Sequence, residues 1–143
     1  MSERLLDIVA AKTPTRRMVM AEGLHAGFPS PAADYTDRID ITDEIIRHPD
    51  TTFYARIEGD SMCEAGIRSG DIVVIDRSLQ AGDGDFVAAY IDGEFTVKEY
   101  RFDPNHNCAW LIPHNKQFSP IQVTEENAFV IWGVITYTIH RFA

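Results

Sequence analysis

The stretch "GDFVAAYIDGEFTVKEYRF", residues 84–102, decides how the rest of this chain is read. Two runs rich in β-branched and aromatic residues flank Asp92-Gly93, a pair favoured in tight two-residue hairpin turns. Side chains along a strand alternate between its two faces. From Glu94 to Phe102 that alternation puts Phe95 and Val97 on one face and Thr96 and Lys98 on the other. A lysine in mid-strand ordinarily faces solvent, and Lys98 taken alone carries no more than that.

Outward from the hairpin the pattern stays β. "TTFYARIEG" (51–59), "DIVVIDRSL" (71–79), "CAWLIP" (108–113), "FSPIQV" (118–123) and "FVIWGVITYTI" (129–139) all read as strands. Turn signals recur about every ten residues, as in sandwiches and barrels. The expected fold class is therefore mostly β. Two shorter elements precede it. "DITDEIIRHPD" (40–50) predicts a short helix capped by Asp40 or Thr42 and stopped at His48-Pro49. "ERLLDIVAA" (3–11) reads as another short helix. Between them, in "LHAGFPSPAADYTDR" (24–38), Phe28-Pro29 and Ser30-Pro31 favour extended backbone and an exposed linker.

Composition bounds the function. The chain has 143 residues, 45% hydrophobic and 24% charged, enough for one domain with a real core. Its net charge of -9 disfavours direct nucleic-acid binding, which needs a basic face. The first 26 residues carry a net +1 and the rest -10, so arm and body attract weakly, an effect screened over about 8 Å. Two cysteines, Cys63 and Cys108, do not make a disulfide framework or a zinc site. No stretch reads as a signal peptide or a membrane span, so a soluble, cytoplasmic protein with no metal, cofactor or membrane partner is expected.

One short motif raises a chemical question. "EGDSM" (58–62) places Ser61 at the end of a strand. Gly-Asp-Ser is ordinary turn chemistry. A serine hydroxyl becomes a nucleophile only when a base takes its proton. Lys98 would serve as that base if desolvation kept its amine neutral. Thr96, on the same face, would hydrogen-bond and aim the amine. Gly59 lets the backbone turn so that amides point at a developing oxyanion. A candidate substrate lies in the chain itself: Ala26-Gly27 is small, lies in the extended segment, and would fit a narrow cleft by adding to a sheet edge, although Ala-Gly pairs are frequent and the same stretch also reads as a plain flexible linker.

These blocks together resemble a known family. "HAGFPSPAADY", "EGDSM", "GIRSGDIVVIDRS", "GDFVAAYIDGEFTVKEY" and "LIPHNKQFSPI" follow the order seen in the UmuD proteins, relatives of the self-cleaving domain of LexA-type repressors. The resemblance covers residues 24 to 140. It implies a curved, LexA- and signal-peptidase-like β fold with an extended N-terminal arm. The arm would be residues 1–26, the linker 27–40 and the peptidase-like domain 41–143. It implies catalytic Ser61 and Lys98, an oxyanion hole from the amides of Asp60 and Ser61, and a cut between Ala26 and Gly27. It further implies a homodimer, stimulation by a RecA filament on single-stranded DNA, and a UmuC-type translesion polymerase as partner in the SOS response. The best-known UmuD pattern has Cys-Gly at the cut, whereas Ala-Gly matches LexA-type proteins. The acidic charge and the lack of a leading helix-turn-helix pattern argue against a repressor.

Two rival readings stand beside this one. One takes the chain as an interaction module with a relic Ser61 and Lys98. The other takes it as a cysteine hydrolase pairing Cys63 or Cys108 with His114 or His106. In the serine reading Cys63 is a small buried hydrophobe, and His25, His48 and His140 have no assigned partner.

Overall fold

The computed structural model describes residues 4–11, 19–21, 38–124 and 126–143. In chain order these form β1 (Arg4–Ala10), β2 (Val19–Ala21), β3 (Arg38–Asp40), α1 (Ile41–Ile45), β4 (Thr52–Glu58), β5 (Ile72–Asp76), β6 (Phe86–Ile91), β7 (Glu94–Asp103), β8 (Cys108–Ile112), β9 (Ile121–Val123) and β10 (Phe129–Ile139). The mostly β expectation holds. Eight strands form one antiparallel sheet in the order β1-β4-β5-β10-β6-β7-β8-β9, and β2 pairs with β3 apart from it. Among the described residues no helix is long and apolar enough to cross a membrane.

The hairpin forms where the sequence places it. β6 and β7 pair from Phe86↔Glu99 to Ile91↔Glu94, and Asp92 and Gly93 turn with φ of 49° and 87°. β10 crosses the middle of the sheet, pairing with β6 through its first half and with β5 through its second. Its register shifts between Ile131 and Gly133 and again between Ile135 and Tyr137. Such extra residues bend a strand and sharpen its twist, and the sheet curls until β1 lies against β7. Gly133 permits the closest approach in this bend: a Cβ there would fall 2.5 Å from Ile75 Cγ2.

The curl gives the sheet two apolar sides. Leu5, Ala55, Ile57, Met62, Ile67, Val73, Ile75, Ala88 and Val97 form one buried cluster. Val87, Ala89, Leu111 and Val123 form the other. β6 feeds both by simple alternation, Ala88 to one side and its neighbours Val87 and Ala89 to the other. Val73, Val74 and Ile75 in β5 are fully buried on both faces. Each such side chain contributes roughly 1.5–3 kcal/mol.

The N-terminal segment differs from expectation. Residues 4–10 are not a helix; they are β1, paired antiparallel with β4 from Arg4↔Glu58 to Ala10↔Phe53. A short amphipathic run takes its conformation from the edge it meets, and β4 offers an edge. Leu5 enters the first core cluster, and an irregularity between Leu6 and Val9, with Asp7 at φ 53°, re-aims the strand. Helix α1 is found with the expected Asp40 cap, its side chain accepting from the Thr42 amide at 2.9 Å, but it ends at Ile45 rather than at the expected stop at His48-Pro49.

His48 and His140 both have partners. His140 Nδ1 lies 2.6 Å from the buried carboxylate of Asp71. His48 Nδ1 lies 2.5 Å from Asp76 Oδ2. Asp76 also accepts from the Ser78 amide and hydroxyl at 2.9 and 2.7 Å and from the Thr51 hydroxyl at 3.1 Å, so it pins the segment after α1 onto β5. Burial pushes the Asp76 carboxyl up, but the hydrogen bonds from His48, Ser78 and Thr51 outweigh it and hold it below its ordinary value. A carboxyl lowered in the folded state adds stability above its unfolded pKa of about 3.9, and that stability is lost as pH falls through the folded value. Asp76→Asn should therefore cost on the order of 1–3 kcal/mol at pH 7. Its deficit against wild type should shrink below about pH 4. Denaturant melts from pH 3 to 8 would read this; a deficit that stays constant to pH 3 would contradict it.

Candidate active site

Ser61 stands in the turn that follows β4. Gly59 enters that turn at φ 111°, a conformation an L side chain rarely adopts. Met62, fully buried in the first core cluster, anchors the turn from below. The amides of Ala65 and Ile67 donate to the Met62 carbonyl at 3.0 and 3.3 Å. The serine is thus presented by a short segment nailed down on its C-terminal side, and the hydroxyl position is fixed by the core.

Lys98 comes from the middle of β7. Its direct cross-strand neighbour is Val87, and that of Thr96 is Ala89. Directly opposed residues share a face, so Thr96 and Lys98 lie beside the second apolar cluster. The alternation read from the sequence is correct, but the face is not solvent: Lys98 is 2% exposed and Ser61 0%. Burial among apolar groups disfavours the charged form of an amine.

Among the described residues, oxygens of Ser61, Thr96 and Val97 lie close to the amine. Lys98 Nζ lies 2.9 Å from Ser61 Oγ, 2.7 Å from Thr96 Oγ1 and 3.0 Å from the Val97 carbonyl oxygen. Thr96 therefore touches the amine as the sequence reading placed it, and the Val97 carbonyl is a neighbour that reading missed. An ammonium would donate to all three oxygens. A neutral amine has two N–H donors and one lone pair. With its N–H groups on Thr96 and Val97, its lone pair is left for the Ser61 hydroxyl proton. The same heavy-atom geometry thus suits a base drawing a proton from a serine.

The amides of Asp60 and Ser61 sit at the head of the turn. Among the described residues no acceptor meets either N–H. The Asp60 carbonyl accepts twice, from the Cys63 amide at 3.2 Å and from Asn115 Nδ2 at 2.9 Å. Asn115 belongs to the loop after β8. That loop also takes the Glu64 amide on the His114 carbonyl at 2.8 Å and gives the Lys116 amide to Glu64 Oε1 at 3.1 Å. Its other end leans on β7, where His114 Nε2 lies 3.1 Å from Glu99 Oε1. A strut thus runs from the strand of Lys98 to the turn of Ser61. The only sequence signal for it was the proline-flanked block "LIPHNKQFSPI".

The remaining candidates separate. Ala26, Gly27 and His25 lie outside the described residues. Among the described residues neither cysteine is hydrogen-bonded to a histidine. Cys108 is buried, with Gln122 Nε2 at 3.5 Å from its sulfur. His106 pairs with Asp103 at 2.6 Å and His114 with Glu99. Cys63 is half-buried rather than buried, because it opens the short 3-10 turn Cys63–Ala65 at the surface.

The chain is similar to known proteins over most of its length. The sequence pattern of the family described as Peptidase S24-like matches residues 18–136. Protein SamA of Salmonella typhimurium is 44% identical over 124 residues, covering 86% of this chain and 84% of that protein. Protein MucA of Escherichia coli is 41% identical over 118 residues, covering 81% of this chain and 79% of that one. A LexA repressor of Bifidobacterium adolescentis is 40% identical over 111 residues, 78% of this chain but 42% of the repressor. The likeness to UmuD and LexA proteins read from the sequence blocks is borne out.

Proposed function

Because the chain belongs to the peptidase S24-like family, we propose that it is a self-cleaving serine peptidase whose substrate is its own Ala26-Gly27 bond. The observation that carries this reading is the 2.9 Å contact between Lys98 Nζ and Ser61 Oγ in a buried setting. Ser61 Oγ attacks the Ala26 carbonyl carbon while Lys98 takes the hydroxyl proton. The amides of Asp60 and Ser61 receive the oxyanion. Lys98 returns the proton to the Gly27 nitrogen, the C–N bond breaks, and water then releases the acyl group from Ser61. Thr96 holds the amine in line. This chemistry requires neither metal nor cofactor.

The biological setting we propose is the SOS response in the bacterial cytoplasm. A RecA filament on single-stranded DNA stimulates the cut, and the shortened homodimer, residues 27–143, serves a UmuC-type translesion polymerase. What supports this is the extent of the similarity to SamA, MucA and LexA proteins. The negative charge supports partners that are proteins rather than bare DNA.

The position of the cut is tested by bulk. Gly27→Val and Ala26→Trp should leave melting unchanged and block release of the 27–143 fragment during alkaline incubation. Normal processing of either variant would move the scissile bond elsewhere.

A further inference from the structure

We infer that Asn115 is a positioning residue for the oxyanion amide, an inference that rests on the peptidase reading above. The Asp60–Ser61 peptide carries both groups involved: the carbonyl of Asp60 and the N–H of Ser61. Among the described residues no peptide bond is cis, and in a trans peptide these two groups point in opposite directions. A donor that grips the carbonyl from one side therefore aims the N–H toward the other. Asn115 Nδ2 grips it at 2.9 Å, and the Cys63 amide adds a longer contact at 3.2 Å. The N–H that these bonds aim belongs to a fully buried serine and meets no acceptor among the described residues. A buried donor left unpaired calls for an explanation in function, and an oxyanion that forms only during reaction supplies one.

The Asn115 side chain is itself held in place. Its Oδ1 accepts from the Gln117 amide at 2.9 Å, and its carbonyl accepts from the Phe118 amide at 3.1 Å. The loop is braced from behind by His114 against Glu99 and by the edge of Phe86, with ring centroids 5.2 Å apart. The two ends of the side-chain amide thus do different jobs. The oxygen shapes the loop, and the nitrogen orients the peptide before Ser61.

That division defines the test. Asn115→Asp keeps an oxygen for the Gln117 amide and removes the donor to Asp60. Asn115→Ala removes both without adding charge. Self-cleavage of full-length wild type, both variants and Ser61→Ala would be followed from pH 7 to 10.5. Both Asn115 variants should lose about tenfold or more of the plateau rate, short of the ~10²–10³-fold cost of deleting an oxyanion donor outright. The smaller loss follows because the Cys63 amide still holds the carbonyl. The midpoint of the pH profile should stay where wild type has it, because the base is untouched, and Asn115→Asp should melt close to wild type. Asn115→Asp cleaving at the wild-type rate would overturn the inference while leaving the peptidase reading intact. So would a rate loss that comes with a displaced midpoint in both variants, since it would assign Asn115 to the base instead. Cleavage by Ser61→Ala at the wild-type rate would overturn both readings together.

Discussion

Ser61→Ala and Lys98→Met are each expected to slow self-cleavage by ~10⁴-fold or more, and the double variant should be hardly worse than either alone. The reason is that a nucleophile and its base act as one device. Once the hydroxyl is gone the amine has no proton to take, and once the amine is gone the hydroxyl stays protonated. Methionine is the informative replacement at position 98. Lys98 is among the largest fully buried side chains of the molecule, and alanine there would leave a cavity beside Val87. Methionine keeps most of the volume, and exchange of a buried charge-bearing group for an apolar one of similar size is often neutral for stability. Loss of cleavage with unchanged melting would then report chemistry alone. If the single losses were small and multiplied in the double variant, Ser61 and Lys98 would be independent residues and the pairing would be wrong.

The rate should also climb steeply with pH. Below the lysine pKa the neutral fraction grows tenfold per pH unit, so cleavage should rise about 100-fold between pH 7 and pH 9 if the pKa is near the unperturbed ~10.4. Desolvation moves the plateau to lower pH and never above that value. A profile that peaks between about pH 6 and 7 would follow an imidazole instead. Among the described residues the His114 carbonyl accepts from the Glu64 amide beside the turn, and its Nε2 is engaged with Glu99, so a profile set by His114 would also require that bond to break.

Much of this site was legible in the sequence because it rests on local rules. Asp92-Gly93 fixes the hairpin, the hairpin fixes the register, and period two then puts Thr96 and Lys98 together on one face. Ser61 was legible from its motif, and the amine between Ser61 and Thr96 followed from pairing the two. What was not legible depends on distance along the chain. Asn115 meets Asp60 across 55 residues, His48 meets Asp76 across 28, and His140 meets Asp71 across 69. No composition rule links such positions. Residues 4–10 were misread because a short run with apolar and charged residues suits either a helix or a strand. The open edge of β4 decided the matter. That Lys98 is buried was also a tertiary fact: it needed Val87 and Ala89 opposite and the second core cluster beside them.

The central claim is that Ser61 is the nucleophile that cuts this protein at Ala26-Gly27. Intact-mass spectrometry of full-length protein incubated at pH 10 tests it most directly, with Ser61→Ala run in parallel. Wild type should yield two new species, one spanning Gly27 to Ala143 and the other the released residues 1–26, and Ser61→Ala should remain full length with the same melting temperature. Release of that same fragment from Ser61→Ala at the wild-type rate, with contaminating protease excluded, would contradict the account.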